Sequence, residues 1–174
     1  MKDNFHPSIK KVLQHEGGFQ SDPRDPGNAH GGMTNLGVTK AVWEEWVGRE
    51  SSEKEMRSLT TEMVAPLYRR KYWDKIQGDS LPDGVDYAVF DMAVNSGPGR
   101  AAKFLQELVG AKPDGAIGPQ TLVAVGKKDP KELVTAYNAK RQAFLESLPT
   151  FATFGKGWST RVAGVNTEAL AMTA

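Results

Sequence analysis

The sequence predicts a mainly α-helical protein, and three features carry that expectation. Apolar residues return every three or four positions in segment after segment of the 174-residue chain. Glycines and prolines fall where those segments end, at the positions where helices stop and start. One long stretch, Ser21 to Thr39, departs from the pattern: turn formers fill most of it and few apolar residues anchor it.

The first helix is expected over residues 7 to 16. Ile9, Val12 and Leu13 share one face, Pro7 stands in the opening turn, and Gly17 supplies the positive φ that commonly closes a helix. Thr39 is placed to cap a helix with Val42, Trp43, Trp46 and Val47 on one side and Gly48 at its end, and both tryptophans are read as core. Ser52 and Glu55 have the spacing of a capping box. Thr60 opens a helix running through Met63, Val64, Leu67, Tyr68 and Tyr72, with Pro66 predicted to kink or break it. The stretch from Asp83 to Asn95 reads as the clearest buried helix, ended by Gly97-Pro98. Asp91 and Asn95 lie one turn apart on it and can reach the same partner. A hydrogen-bonding role in the fold is favoured for both, with a place along the substrate as the functional alternative.

Further helices are expected over about 99 to 109, from Pro119, and from Pro130 until Pro149 stops it. The segment Phe154 to Trp158 is expected to lead into a last helix containing Val162 and Val165, with Trp158 and Arg161 pinning it to the rest.

Chemistry points to Glu16. A carboxylate in a last helical turn is most often a solvated surface group. Here it stands at the negative end of the helix dipole beside apolar neighbours, and both effects favour the neutral acid that a glycosidase uses to protonate a leaving-group oxygen. The long irregular segment that follows is of the kind that carries function.

The residues His15-Glu16-Gly17-Gly18-Phe19, then DPRDPG from Asp22, then GGMTNLGVT to Thr39, resemble the signature of glycoside hydrolase family 108. That family holds phage endolysins and related N-acetylmuramidases opening with an HEGG-type motif. RRKYWD from Arg69, FDMAVNSGPGRAAKFLQ from Phe90, the DG-x-x-GP-x-T element at Asp114 to Thr121, and FGKGW-x-x-RV from Phe154 continue the resemblance to about Val165. It implies a lysozyme-like all-α fold with a small irregular or β-hairpin loop beside the cleft. It also implies hydrolysis of the β-1,4 bond between N-acetylmuramic acid and N-acetylglucosamine in peptidoglycan, for host cell lysis. Glu16 becomes the catalytic acid, with Asp25 and Thr34 as its partners and Asp22 competing with Asp25. Asn35, Asp22, Asn95 and Tyr72 become candidates for substrate contact, Tyr72 and Trp73 being expected beneath the floor of the cleft. One departure stands out: the link Asn28 to Met33 is longer than the short glycine-rich link of the family. The expected organisation is a catalytic part over 1–85 and a peptidoglycan-binding-like helical part over 86–174, packed as one domain. A lytic transglycosylase using the same glutamate and a non-catalytic wall-binding protein are the rival readings.

Composition narrows the field. No cysteine occurs, so there is no disulfide framework and no thiolate nucleophile. His6, His15 and His30 lack HExxH or other paired-ligand spacing, and neither a nucleophile elbow nor a phosphate loop is present. No cofactor and no metal are therefore expected. Net charge is +1, unevenly spread: residues 1–99 carry 12 basic against 15 acidic side chains, residues 100–174 carry 10 against 6. A basic C-terminal part suits an anionic wall, whereas Arg69-Arg70-Lys71 is too short a run for nucleic acid. The N-terminal residues lack the apolar core of a signal peptide and no stretch reaches membrane-spanning length, so synthesis in the host cytoplasm, release with the help of a holin, and action as a monomer are expected.

Overall fold

Nine α-helices and one two-stranded hairpin form the regular structure of the described residues, 3–24, 28 and 32–174, of the computed structural model. By its contacts the chain divides into two units, His6–Arg69, and Arg70–Ala174 together with the chain start up to Phe5.

The His6–Arg69 unit is built on α1 (Phe5–Glu16), whose buried face carries Ile9, Val12 and Leu13. Gly17, with φ of 76°, ends the helix directly after Glu16. The hairpin follows: β1 (Thr34–Asn35) pairs antiparallel with β2 (Val38–Thr39), Thr34 opposite Thr39 and Asn35 opposite Val38. Three short helices complete the unit, each started by a hydroxyl. Thr39 Oγ1 accepts from the Val42 N–H to open α2 (Lys40–Val47), and Ser52 Oγ accepts from Glu55 to open α3 (Glu53–Arg57). Thr60 Oγ1 accepts from Met63 to open α4 (Thr61–Tyr68). Trp43 is buried, as a core residue of α2 should be, whereas Trp46 is only half-buried and lies outside the core. The break expected at Pro66 does not occur. Proline removes only the bond to the Glu62 carbonyl, α4 runs on to Tyr68, and the change of geometry comes later, as a π-helical turn over Arg69–Trp73.

In the second unit α5 (Val85–Ser96) is buried along Val85 to Ala93 and packs against α6 (Pro98–Val109), α8 (Pro130–Glu146) and α9 (Phe151–Met172). Trp73 is buried in edge-to-face contact with Phe5 and Phe90, at 5.5 and 5.2 Å between ring centres, and donates its indole N–H to Asp79 at 2.9 Å. Gly78 passes beneath that ring with no room for a side chain. Tyr137 of α8 donates to the Ala101 carbonyl of α6 at 2.9 Å. Gln106 gathers the loop before α7 (Pro119–Gly126): its amide donates to Asp114, the Ala116 carbonyl and Thr121, and its oxygen accepts from Gly115. The Asp114 to Thr121 motif is thus a folding knot around one buried side chain.

Asp91 and Asn95 do share a partner. Arg141, fully buried, donates to Asp91 at 2.7 Å and to Asn95 at 3.2 Å, while Arg161 donates to both oxygens of Asp91 at 3.1 and 3.0 Å. Burial alone would raise the Asp91 carboxyl, but the two guanidinium groups outweigh it and hold the carboxyl below its ordinary range. Arg161 therefore ties α9 to α5 as expected. The last helix itself begins earlier than the sequence suggests. Phe154 to Trp158 lies inside α9, because Gly155 packs under the Phe151 ring one turn back, with no space for a β-carbon. Trp158 correspondingly stacks on Phe154 and leans on Phe151, at 5.7 and 6.4 Å, both on its own helix.

Two consequences are measurable. Truncating Asp91 to alanine leaves Arg141 buried without its carboxylate, and should cost about 3–5 kcal/mol in urea unfolding. Asp86, 1% exposed, is held by Asn4 and by the backbone N–H groups of Gly84 and Tyr87. Burial outweighs these donors and pushes its carboxyl from 3.8 up to about 6. A proton held more tightly in the folded state stabilises it fully below the unfolded value, and that stabilisation is lost as pH rises through about 6. Between pH 4 and pH 7 the wild type should lose up to about 3 kcal/mol that Asp86→Asn does not lose; equal slopes would exclude Asp86 as the source.

Candidate active site

Glu16 is the last residue of α1, half-buried, and the chain turns away from it at Gly17. Its side chain is backed by the turn of the hairpin. A β-carbon placed on Gly37 would lie 3.1 Å from Glu16 Oε2, 3.2 Å from Glu16 Cβ and 2.5 Å from the Tyr68 hydroxyl. Contacts under 3.0 Å to a rigid, buried ring are not relieved by small shifts. Glycine at 37 therefore lets the turn lie directly against the carboxylate.

That turn is itself unusual. Both central residues have positive φ, 51° at Leu36 and 74° at Gly37, as a two-residue hairpin of the primed type requires. Asparagine or glycine is the common occupant of the first position; leucine there costs on the order of 1 kcal/mol. The buried Tyr68 holds it, donating its hydroxyl to the Leu36 carbonyl at 2.7 Å.

The strand that leaves Glu16 returns to the hairpin at once. Gln20 and Thr34 exchange two backbone hydrogen bonds, each 2.8 Å, so Thr34 is held four residues beyond the acid. Thr34 donates its hydroxyl to Asn28 Oδ1 at 2.6 Å. The Asn28 amide in turn donates to Gln20 Oε1 at 2.6 Å and to the Asp22 carbonyl at 3.1 Å. Asn28 is 1% exposed and ties Gln20, Asp22 and Thr34 to one another. Asp22 faces Arg24, which bonds both carboxylate oxygens with contacts of 2.7 to 3.1 Å and holds the carboxyl below its ordinary value. Asp25 lies outside the described residues.

The remaining candidates sit as follows. Asn35 is buried and gives its amide to the Met56 carbonyl at 2.8 Å, tying the hairpin to the end of α3. Arg57, next along, lies over the Phe19 ring at 4.0 Å, so the same helix end also holds the segment after Glu16. Asn95 and the half-buried Tyr72 belong to the Arg70–Ala174 unit, Asn95 accepting from Arg141. The residues that shape the site and that the sequence did not single out are Gly37, Tyr68, Asn28 and Gln20. Tyr68 carried only a helical-spacing signal, and Asn28 appeared only as part of a long link. Among the described residues no group of three histidines or carboxylates is placed to hold a metal. The site thus offers a half-buried carboxyl group at Glu16 backed by Gly37, and a hydroxyl at Thr34 whose direction Asn28 fixes.

Residues 9–97 match Glycosyl hydrolase 108, and residues 100–163 match a domain described as "Predicted Peptidoglycan domain". The chain belongs to the glycosyl hydrolase 108 family, followed by a peptidoglycan-binding segment. It is a glycoside hydrolase whose partner is peptidoglycan. Among solved structures it is similar to "Structure of Brucella abortus SagA", with 44% identity over 97% of this chain and 95% of that one and a TM-score of 0.83. A comparison with curated proteins finds no match. Among the described residues no helix is long and apolar enough to cross a membrane.

The close approach at residue 37 can be tested without touching Glu16. Gly37→Ala adds a methyl group both at positive φ and against Tyr68, and should cost about 1–3 kcal/mol of stability and lower kcat more than it raises KM. Tyr68→Phe keeps the ring, loses one hydrogen bond, and should cost about 1 kcal/mol. Thermal melts together with turbidity clearing of cell walls measure both; a Gly37→Ala protein with wild-type kcat would show that the turn does not set the position of the acid.

Proposed function

We propose that this chain is an N-acetylmuramidase that hydrolyses the β-1,4 bond between N-acetylmuramic acid and N-acetylglucosamine. The observation that carries the reading is Glu16 at the end of α1, backed by Gly37 within the segment that matches a glycosyl hydrolase family. In this reading Glu16 protonates the glycosidic oxygen as the bond to the anomeric carbon breaks, and the departing sugar leaves as an alcohol. Thr34 has committed its own proton to Asn28, so its oxygen is an acceptor of fixed direction. It serves to hold one hydrogen of a water whose lone pair faces the anomeric carbon. Asp25 takes the second proton of that water or balances the positive charge of the transition state. Asp22, engaged by Arg24 and made less basic by it, is suited to balancing charge and poorly suited to accepting a proton.

The setting proposed, on the resemblance of the motifs, is that of a phage-type endolysin made in the host cytoplasm, acting as a monomer and reaching the wall through a holin. Expression in a bacterial cytoplasm should leave the culture intact until a holin is co-expressed; lysis without one would remove the holin from the scheme.

Glu16→Gln should lower hydrolysis of purified sacculi by about 10²–10⁴-fold with the fold intact by circular dichroism. Thr34→Val should cost about tenfold in kcat, with Thr34→Ser restoring most of it. Mass spectrometry of the products distinguishes the alternatives. Reducing ends with one added water fit a muramidase, anhydro-sugar ends would make the protein a lytic transglycosylase, and no released ends would make it a wall-binding protein only.

A further inference from the structure

The antiparallel pair α8 and α9 carries a groove of about 360 Å³ that none of the catalytic chemistry uses. Two stripes border it, one per helix, each stepping three, one and three residues. Thr135 and Gln142 on α8 face Ser159 and Asn166 on α9, so its rim consists of uncharged hydrogen-bonding groups. The buried Asn138 and Val162 lie at its floor, and the exposed Ala139 and Ala163 keep its sides small. The rim is braced across the helices: Gln142 donates to Ser159 at 2.9 Å, and Asn138 donates to Asn166 at 3.1 Å. Asn138 is 3% exposed and its Oδ1 has no hydrogen-bond partner, which is uncommon for a buried acceptor. Beyond the groove, Thr135 and Ala139 lead along α8 onto an exposed helix face that carries Lys131, Glu132 and Ala136.

The lining selects a kind of ligand. Among the described residues no aromatic ring borders the groove, so there is no plane on which a pyranose could stack. Side-chain amides and hydroxyls pair well with peptide N–H and C=O groups, and the alanines at its sides leave room beside the backbone of such a chain. From Lys131 to Gln142 the helix rises about 16 Å, the span of four to five residues of extended peptide. At one end the exposed Lys131 and Glu132 offer one charge of each sign, complementary to a ligand carrying both a carboxylate and an ammonium group.

We propose that this groove binds the stem peptide of peptidoglycan, a short chain of small residues with carboxylate and ammonium groups, and that it does so without engaging the glycan. The choice of the wall as the ligand's source rests on the functional reading above; the shape and chemistry of the groove do not.

The test uses the full chain carrying Glu16→Gln, so that binding is read without turnover. Sugar-free stem peptide and peptide-free glycan strands are titrated separately, followed by calorimetry and by amide NMR shifts. The peptide should bind saturably and shift Thr135, Asn138 and Asn166. Ala139→Leu or Ala163→Leu should weaken that binding about tenfold or more. Both positions are exposed, so unchanged circular dichroism is expected, and Gln142→Ala gives an independent loss of a rim group. Absence of peptide binding, equal binding by the filled variants, or groove shifts produced by the glycan alone would overturn the proposal. A protein that binds peptide yet hydrolyses nothing would leave this inference standing and remove the catalytic one.

Discussion

A methyl group at residue 37 would sit 2.5 Å from the Tyr68 hydroxyl and 3.1 Å from Glu16 Oε2, and this lack of room orders the whole His6–Arg69 unit. The turn can press against the acid only because Gly37 has no side chain and because Leu36 accepts a left-handed conformation that its own side chain disfavours. Tyr68 offsets that strain with one hydrogen bond to the Leu36 carbonyl. From there the order propagates through neighbours: β1 brings Thr34 to Gln20, Thr34 fixes Asn28, and Asn28 fixes the backbone of Asp22. The polar network is small and partly buried, centred on the buried Asn28, and the donors of Asn28 and Thr34 are all paired, which favours a rigid arrangement.

The second unit solves a different problem. Its central helix α5 is buried almost all round, and one of its two carboxylates, Asp91, must be compensated by charge inside the core. Two arginines from two different helices do so, and the desolvation of three charges makes the pairing worth more as a device for setting helix register than as net stability. Arg141 and Arg161 allow one arrangement of α8 and α9 against α5, and this in turn fixes which stripes of α8 and α9 face each other across their groove.

The helices were legible because their signals are local. The caps at Thr39, Ser52 and Thr60, the closing glycines at 17, 48 and 110, and the prolines opening α6, α7 and α8 each act within one turn of chain. The sharing of Arg141 by Asp91 and Asn95 was legible for the same reason, since a four-residue spacing fixes proximity on a helix. The place of Glu16 at the end of α1 was legible from the apolar spacing before it and the glycine after it. What the sequence concealed is long-range: Tyr68 reaches Leu36 across 32 positions, Asn35 reaches Met56 across 21, and nothing in the local pattern of either announces its partner. Leu36 also misled, because leucine is a poor marker for the first position of a primed turn. At Phe154 to Trp158 the difference ran the other way: the segment read as leading into the last helix but lies inside it, and Gly155 is glycine because an aromatic ring of the same helix covers it.

The two units face opposite demands in handling a polymer. A site that breaks glycosidic bonds gains from binding the transition state more tightly than the chain it cuts, so strong ground-state grip on the glycan would not raise its turnover. Attachment to the wall is better supplied elsewhere, by weak contacts that raise the local concentration of substrate without slowing release of product. A groove lined with neutral amides fits that role, because each bond it makes replaces one to water and contributes only about 0.5–1.5 kcal/mol. An excess of basic residues such as that in 100–174 would attract an anionic polymer at longer range and would weaken as salt rises, whereas binding in a groove lined with neutral amides would not.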